Sequence, residues 1–74
     1  MKHAADRASA AEDTLREARR AFSEGDVLVA IDGLQRIPAP DRTPAAWQLL
    51  ASALLRAGAV SQAREVLQTL VAHG

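Results

Sequence analysis

The chain has 74 residues, no Cys, and nine basic side chains against nine acidic ones, for a formal net charge of zero. This length allows one small domain, residues 1–74, with no disulfide to staple it, and a neutral chain lacks the surplus positive charge that displaces counterions from nucleic acid or anionic lipid. No apolar run approaches the roughly 20 residues of a membrane span, and the opening "MKHAADRASAAEDTL" has no apolar core of a secretory signal, so a cytoplasmic protein is expected, with neither a nucleic-acid nor a membrane partner.

The first predicted helix runs from Asp6 to Glu24. Leu15 and Phe22 lie seven apart on one side, with Ala11, Ala18 and Ala21 in the same thin stripe. Glu12–Arg16 and Glu17–Arg20 are expected to pair along the polar side, each worth about 0.2–0.5 kcal/mol. Gly25 then ends the helix as a left-handed cap residue. Asp26 is placed to cap a second helix, "VLVAIDGLQRI", with Val27, Ala30, Ile31, Leu34 and Ile37 on one side. "VLVAI" alone could form a strand, but the helical spacing continues through Ile37 and no second strand exists to pair with it. Gly33 is a weak point inside this helix, costing about 1 kcal/mol against Ala.

"PAPDRTP" is the only linker, and Pro38 stops the second helix. Thr43–Pro44 has the form of a helix start, Thr at the cap and Pro at the first helical position. The third helix is expected to reach about Ala57, with Trp47, Leu50, Ala51 and Leu54 on one face. Gly58 breaks the chain again. A fourth helix starts near Val60 or Ser61 and carries Ala63, Val66, Leu67, Leu70 and Val71.

The two halves match at an offset of 33. Ala18 falls on Ala51, Phe22 on Leu55 and Gly25 on Gly58; Val27 falls on Val60, Ala30 on Ala63, Leu34 on Leu67, Gln35 on Gln68 and Ile37 on Leu70. Two helices per period of this length is the pattern of a helical repeat array. The series Trp47-x-x-Leu50-Ala51-x-x-Leu54, then Gly58, then Ala63-x-x-x-Leu67-x-x-Leu70, resembles the tetratricopeptide repeat over nearly all of Pro44–Leu70. The first half is more degenerate, matching at Gly25-Asp26, Ala30, Leu34 and Ile37, and the period of 33 departs from the family's usual spacing of about 34.

The resemblance implies an all-α fold. Four helices would form two antiparallel hairpins, repeat 1 over about 11–40 and repeat 2 over about 44–74, in a right-handed stack. Its core would contain Ala18, Ala30, Leu34, Trp47, Leu50, Ala51, Leu54, Ala63, Leu67 and Leu70, with Trp47 between the second and third helices. It also implies a concave groove lined by the first helix of each repeat. Carried over by position, Glu12, Leu15, Arg19, Phe22, Ser23, Ala45, Gln48, Ser52, Leu55 and Arg56 would line it, with Phe22 and Leu55 as an apolar patch flanked by Arg19 and Arg56.

A second surface is expected on the fourth helix. It has too many apolar residues for one face, so Val60, Val66 and Val71 are expected to form an exposed flank that a partner or a second copy of the chain covers. The expected function is therefore non-catalytic protein binding, as an adaptor or scaffold taking a peptide or helix of another protein. A small bacterial secretion-type chaperone shielding an apolar segment is the alternative within that class. From another class, "LLRAGAVSQAREVLQTL" has a helix-turn-helix outline with Gln62 and Arg64 as base readers, but the 33-residue self-similarity then has no explanation. No catalytic residue is identified: the chain has no Cys nucleophile and no Gly-rich phosphate loop, and Asp26, Asp32 and Asp41 lie near turns as caps or solvated charges. His3 and His73 stand at opposite ends, so neither a metal site nor a cofactor is expected.

Overall fold

The structure, a computed structural model, describes residues 2–73, with side chains described for residues 9–72. The histidine side chains considered as metal ligands, His3 and His73, lie outside the described residues. Four helices follow in order: α1 (Lys2–Ser23), α2 (Val27–Arg36), α3 (Pro44–Arg56) and α4 (Val60–His73), with a single 3-10 turn, Ala39–Asp41, between α2 and α3. There is no strand among the described residues. No helix among them is long and apolar enough to cross a membrane. α1 begins four residues before the expected Asp6.

The turns after α1 and α3 are built alike. Gly25 and Gly58 have φ of 88° and 85°, a conformation that a Cβ disfavours. At the first turn the Gly25 N–H donates to Phe22 O (3.1 Å) and the Asp26 N–H to Ala21 O (2.8 Å). Thirty-three residues on, the Gly58 N–H donates to Leu55 O (3.0 Å) and the Ala59 N–H to Leu54 O (2.8 Å). Both are Schellman closures, which satisfy carbonyls left over at a helix end. Asp26 precedes α2 but its side chain makes no capping hydrogen bond, so the expected cap is absent. Thr43 does cap α3: its hydroxyl accepts from the Ala46 N–H at 3.2 Å, with Pro44 in the first turn. The exposed ion pairs also differ from those expected. Arg16 meets Asp13 (3.3 Å) rather than Glu12, and Arg20 meets Glu24 (3.6 Å) rather than Glu17. Both alternatives lie within one helical turn, and an exposed pair is worth too little to fix the choice.

Each helix packs on the next, α1 also touches α3 and the 3-10 turn, and α4 contacts α3 alone among these elements. The core is mostly Ala and Leu: Ala18, Ala21, Ala30, Leu34, Ile37, Ala46, Leu50, Leu54 and Ala63 form one buried cluster. Ala51 and Ala53 are buried as well. Small side chains at these positions let helix axes approach closely, which replaces bulk as the source of packing contacts.

Gly33 sits inside α2 facing α1. A Cβ there would lie 3.8 Å from Thr14 Cγ2 and 3.9 Å from Ala18 Cβ, ordinary van der Waals distances. Gly33→Ala is therefore expected to stabilise the chain by about 0.5–1 kcal/mol, through helix propensity and a less disordered unfolded state. A thermal melt followed by circular dichroism should move up by several degrees. A lower midpoint would mean that α1 must shift to admit the methyl.

Candidate protein-binding surfaces

The groove expected from the first and third helices is partly filled. Leu15 and Phe22 are half-buried and pack against the core. Arg56 lies over the Phe22 ring, its guanidinium carbon 4.7 Å from the centroid, so the ring has core on one side and a cation on the other. This tie joins the end of α1 to the end of α3. Arg19, Gln48 and Ser52 are exposed, and Leu55 is half exposed. The Phe22–Leu55 pair thus contributes one accessible apolar side chain, Leu55, rather than a continuous patch.

Trp47 is half-buried, against the core on one side. Arg42 stacks over its other face at 4.7 Å. The Arg42 Nε donates to Ile37 O at 2.9 Å and its Nη2 to Gln35 O at 3.3 Å. Burial lowers the Arg42 pKa from its ordinary value. These contacts hold the guanidinium in the fold, where Arg42 also lines an open depression with Ala39, Pro40, Trp47 and Thr69.

The fourth helix departs most from expectation. Leu67, placed in the core from the sequence, is 42 % exposed, and Val66, placed on the exposed flank, is half-buried against the core. The buried side of α4 runs through Ala63, Val66 and Leu70, at i, i+3, i+7, and this is the side that meets α3. Leu67 lies off that line and projects beyond it. With Val60 and Val71, 52 % and 78 % exposed, it forms an apolar row along the outer side of the helix. Arg64, Gln68 and Ala72 share this surface.

A second exposed apolar pair, Leu28 and Val29, stands at the start of α2 and was not anticipated from the sequence. Their counterparts at the 33-residue offset, Ser61 and Gln62, are polar, so the pair is a local feature of the first half. Two small clefts of about 110 and 130 Å³ lie between α1 and the α2–α3 connection, around Ala11, Ile37 and Asp41. Both are well below the ~300 Å³ of ordinary small-molecule pockets. Among the described residues no three His, Asp or Glu side chains gather where they could hold a metal ion. No protein-family model matches the chain, and neither a curated protein nor a solved structure matches it.

Proposed function

We propose that this chain is a non-catalytic protein-binding module, built as two tetratricopeptide-like antiparallel hairpins, which holds a helix or peptide of another protein along the outer side of α4. The observation that carries the reading is the row Val60–Leu67–Val71, exposed on a helix that packs against α3 alone. Apolar side chains exposed in line on one helix side, here around Arg64, are costly in water and point to an interaction site. The hairpin reading is supported by the two identical Gly closures 33 residues apart and by the packing of each helix on its successor. The surface around Leu55, Gln48, Ser52 and Arg56 is the secondary candidate, weakened by the closure of Arg56 over Phe22.

Affinity capture with immobilised wild-type protein, Leu67→Glu and Leu55→Glu separates these surfaces. A partner retained by the wild type and by Leu55→Glu should bind Leu67→Glu at least about tenfold more weakly, since a charge placed at the centre of an apolar contact acts at a hot spot. Retention that is indifferent to Leu67→Glu and lost with Leu55→Glu would move the site to the groove. Circular dichroism of each variant excludes loss of fold as the cause.

A further inference from the structure

The outer side of α4 has a counterpart inside the molecule, and that counterpart is covered. Val60, Arg64 and Leu67 correspond at the 33-residue offset to Val27, Ile31 and Leu34 of α2. Both sets have the spacing i, i+4, i+7, which makes one narrow helical stripe. On α2, Val27 and Ile31 are half-buried and Leu34 is fully buried; on α4 all three counterparts are exposed. The difference follows the packing, because α2 has α1 on one side and α3 on the other, whereas α4 has only α3.

The α3 helix also shows what kind of surface such a stripe accepts. Ala51 and Leu54 of α3 correspond to Ala18 and Ala21 of α1, and all four are buried. Ala46, Leu50 and Ala53 of α3, again at i, i+4, i+7, are buried too, but their α1 counterparts Asp13, Glu17 and Arg20 are exposed. The Ala46–Leu50–Ala53 stripe is thus burial that α3 has and α1 lacks: α3 packs on α2 and on α1 in addition to α4, with Ala46 beside Ala11 and Leu15 of α1. The α2 helix on which α3 packs carries the Val27–Ile31–Leu34 stripe, so a stripe of small residues around a Leu is the complement expected for an apolar stripe of this kind.

Resting on the binding-module reading above, we infer that α4 takes a partner helix of the α3 type: small residues flanking a Leu at i, i+4, i+7, with a carboxylate set to meet Arg64. The carboxylate follows from the one difference in the stripe, Arg64 where α2 has Ile31. A wholly apolar partner would strip water from that guanidinium without replacing it, and an opposite charge offsets the loss. The partner is not the α1 of a second copy. Head-to-tail stacking would press Asp13, Glu17 and Arg20 against the Val60–Leu67–Val71 row, and two of these charges are already held by Arg16 and Glu24.

The test uses fluorescein-labelled peptides of residues 43–57, which carry the α3 stripe, read by anisotropy against the full chain. Variants place Glu or Lys on either edge of the stripe, at Leu49 or at Trp47. One Glu peptide is expected to bind about two- to fivefold more tightly than its Lys counterpart, the range of a partly exposed charge pair. Arg64→Glu in the protein, at an exposed site that leaves the fold intact, should reverse that order, and Leu67→Glu should weaken all the peptides by tenfold or more. Peptides that do not bind, or that bind with no Glu–Lys preference and no response to Arg64→Glu, overturn the inference. Light scattering on the same samples separates this from failure of the underlying reading. Self-association abolished by Leu67→Glu, without peptide binding, would assign the α4 surface to a second copy and leave the binding module standing. A monomer that binds no peptide and captures no partner through Leu67 would remove both.

Discussion

Leu34→Ala is expected to lower the free energy of unfolding by about 2–5 kcal/mol, and Leu67→Ala by about 1 kcal/mol or less. The two leucines are equivalent at the 33-residue offset, yet one is 0 % and the other 42 % exposed. Removing the Leu34 side chain empties space between α2 and its neighbours that a small-residue core cannot readily refill, so the loss includes a cavity as well as the transfer term. Truncating Leu67 trims a side chain that water already reaches, and Ala keeps the helix propensity of α4. A domain of this size has only a modest total stability, so Leu34→Ala should leave a substantial unfolded fraction at 37 °C. Urea titrations followed by circular dichroism measure both costs. Equal losses would mean that Leu67 is covered in solution, and a dependence of the Leu67→Ala midpoint on protein concentration would then identify the cover as a second copy.

Much of the architecture could be read from residue types because the punctuation is strong. Gly25 and Gly58 are the positions where backbone with positive φ closes a helix, and Thr43–Pro44 is a start signal whose hydrogen bond is present. What could not be read in the same way depends on neighbours. Leu67 sits where Leu34 does in the other half; Leu34 is buried in a helix that packs on both α1 and α3, and nothing in the α4 sequence itself tells that α4 packs on α3 alone. Ala46 and Ala53 were passed over as core residues because Ala is common on every face; the signal that would have found them is their i, i+4, i+7 relation to Leu50. The approach of Arg56 to Phe22 depends on how α1 and α3 are placed, a long-range relation that local periodicity does not encode. Leu28 and Val29 fall off the side of α2 that carries Val27, Ala30 and Ile31, so helical spacing accounts for their exposure.

Arg42 was not singled out by sequence reasoning at all, and Arg42→Ala is expected to be the most damaging substitution of a polar side chain, costing about 1–3 kcal/mol. The reason lies in the connection between the halves. α2 ends at Arg36 with carbonyls that have no partner within the helix. The 3-10 turn, closed by the Asp41 N–H to Pro38 O (2.8 Å) and the Arg42 N–H to Ala39 O (3.2 Å), brings Arg42 back beneath that end. Its planar fork then reaches two carbonyls, Ile37 O and Gln35 O, while its face rests on Trp47 in the first turn of α3. One side chain thus ties the last carbonyls of α2 to the head of α3, across the junction that sets how the two halves meet. Arg42→Lys should recover less than half of the loss, because an ammonium is a point donor without a flat face to stack. Trp47 is the only Trp in the chain, so its emission reports on this contact directly: Arg42→Ala should shift it to the red in the folded state as water replaces the guanidinium. A double-mutant cycle with Trp47→Leu isolates the stacking share of the energy. A cost below about 0.5 kcal/mol, with unchanged emission, would show that the α2–α3 junction is held by the core alone.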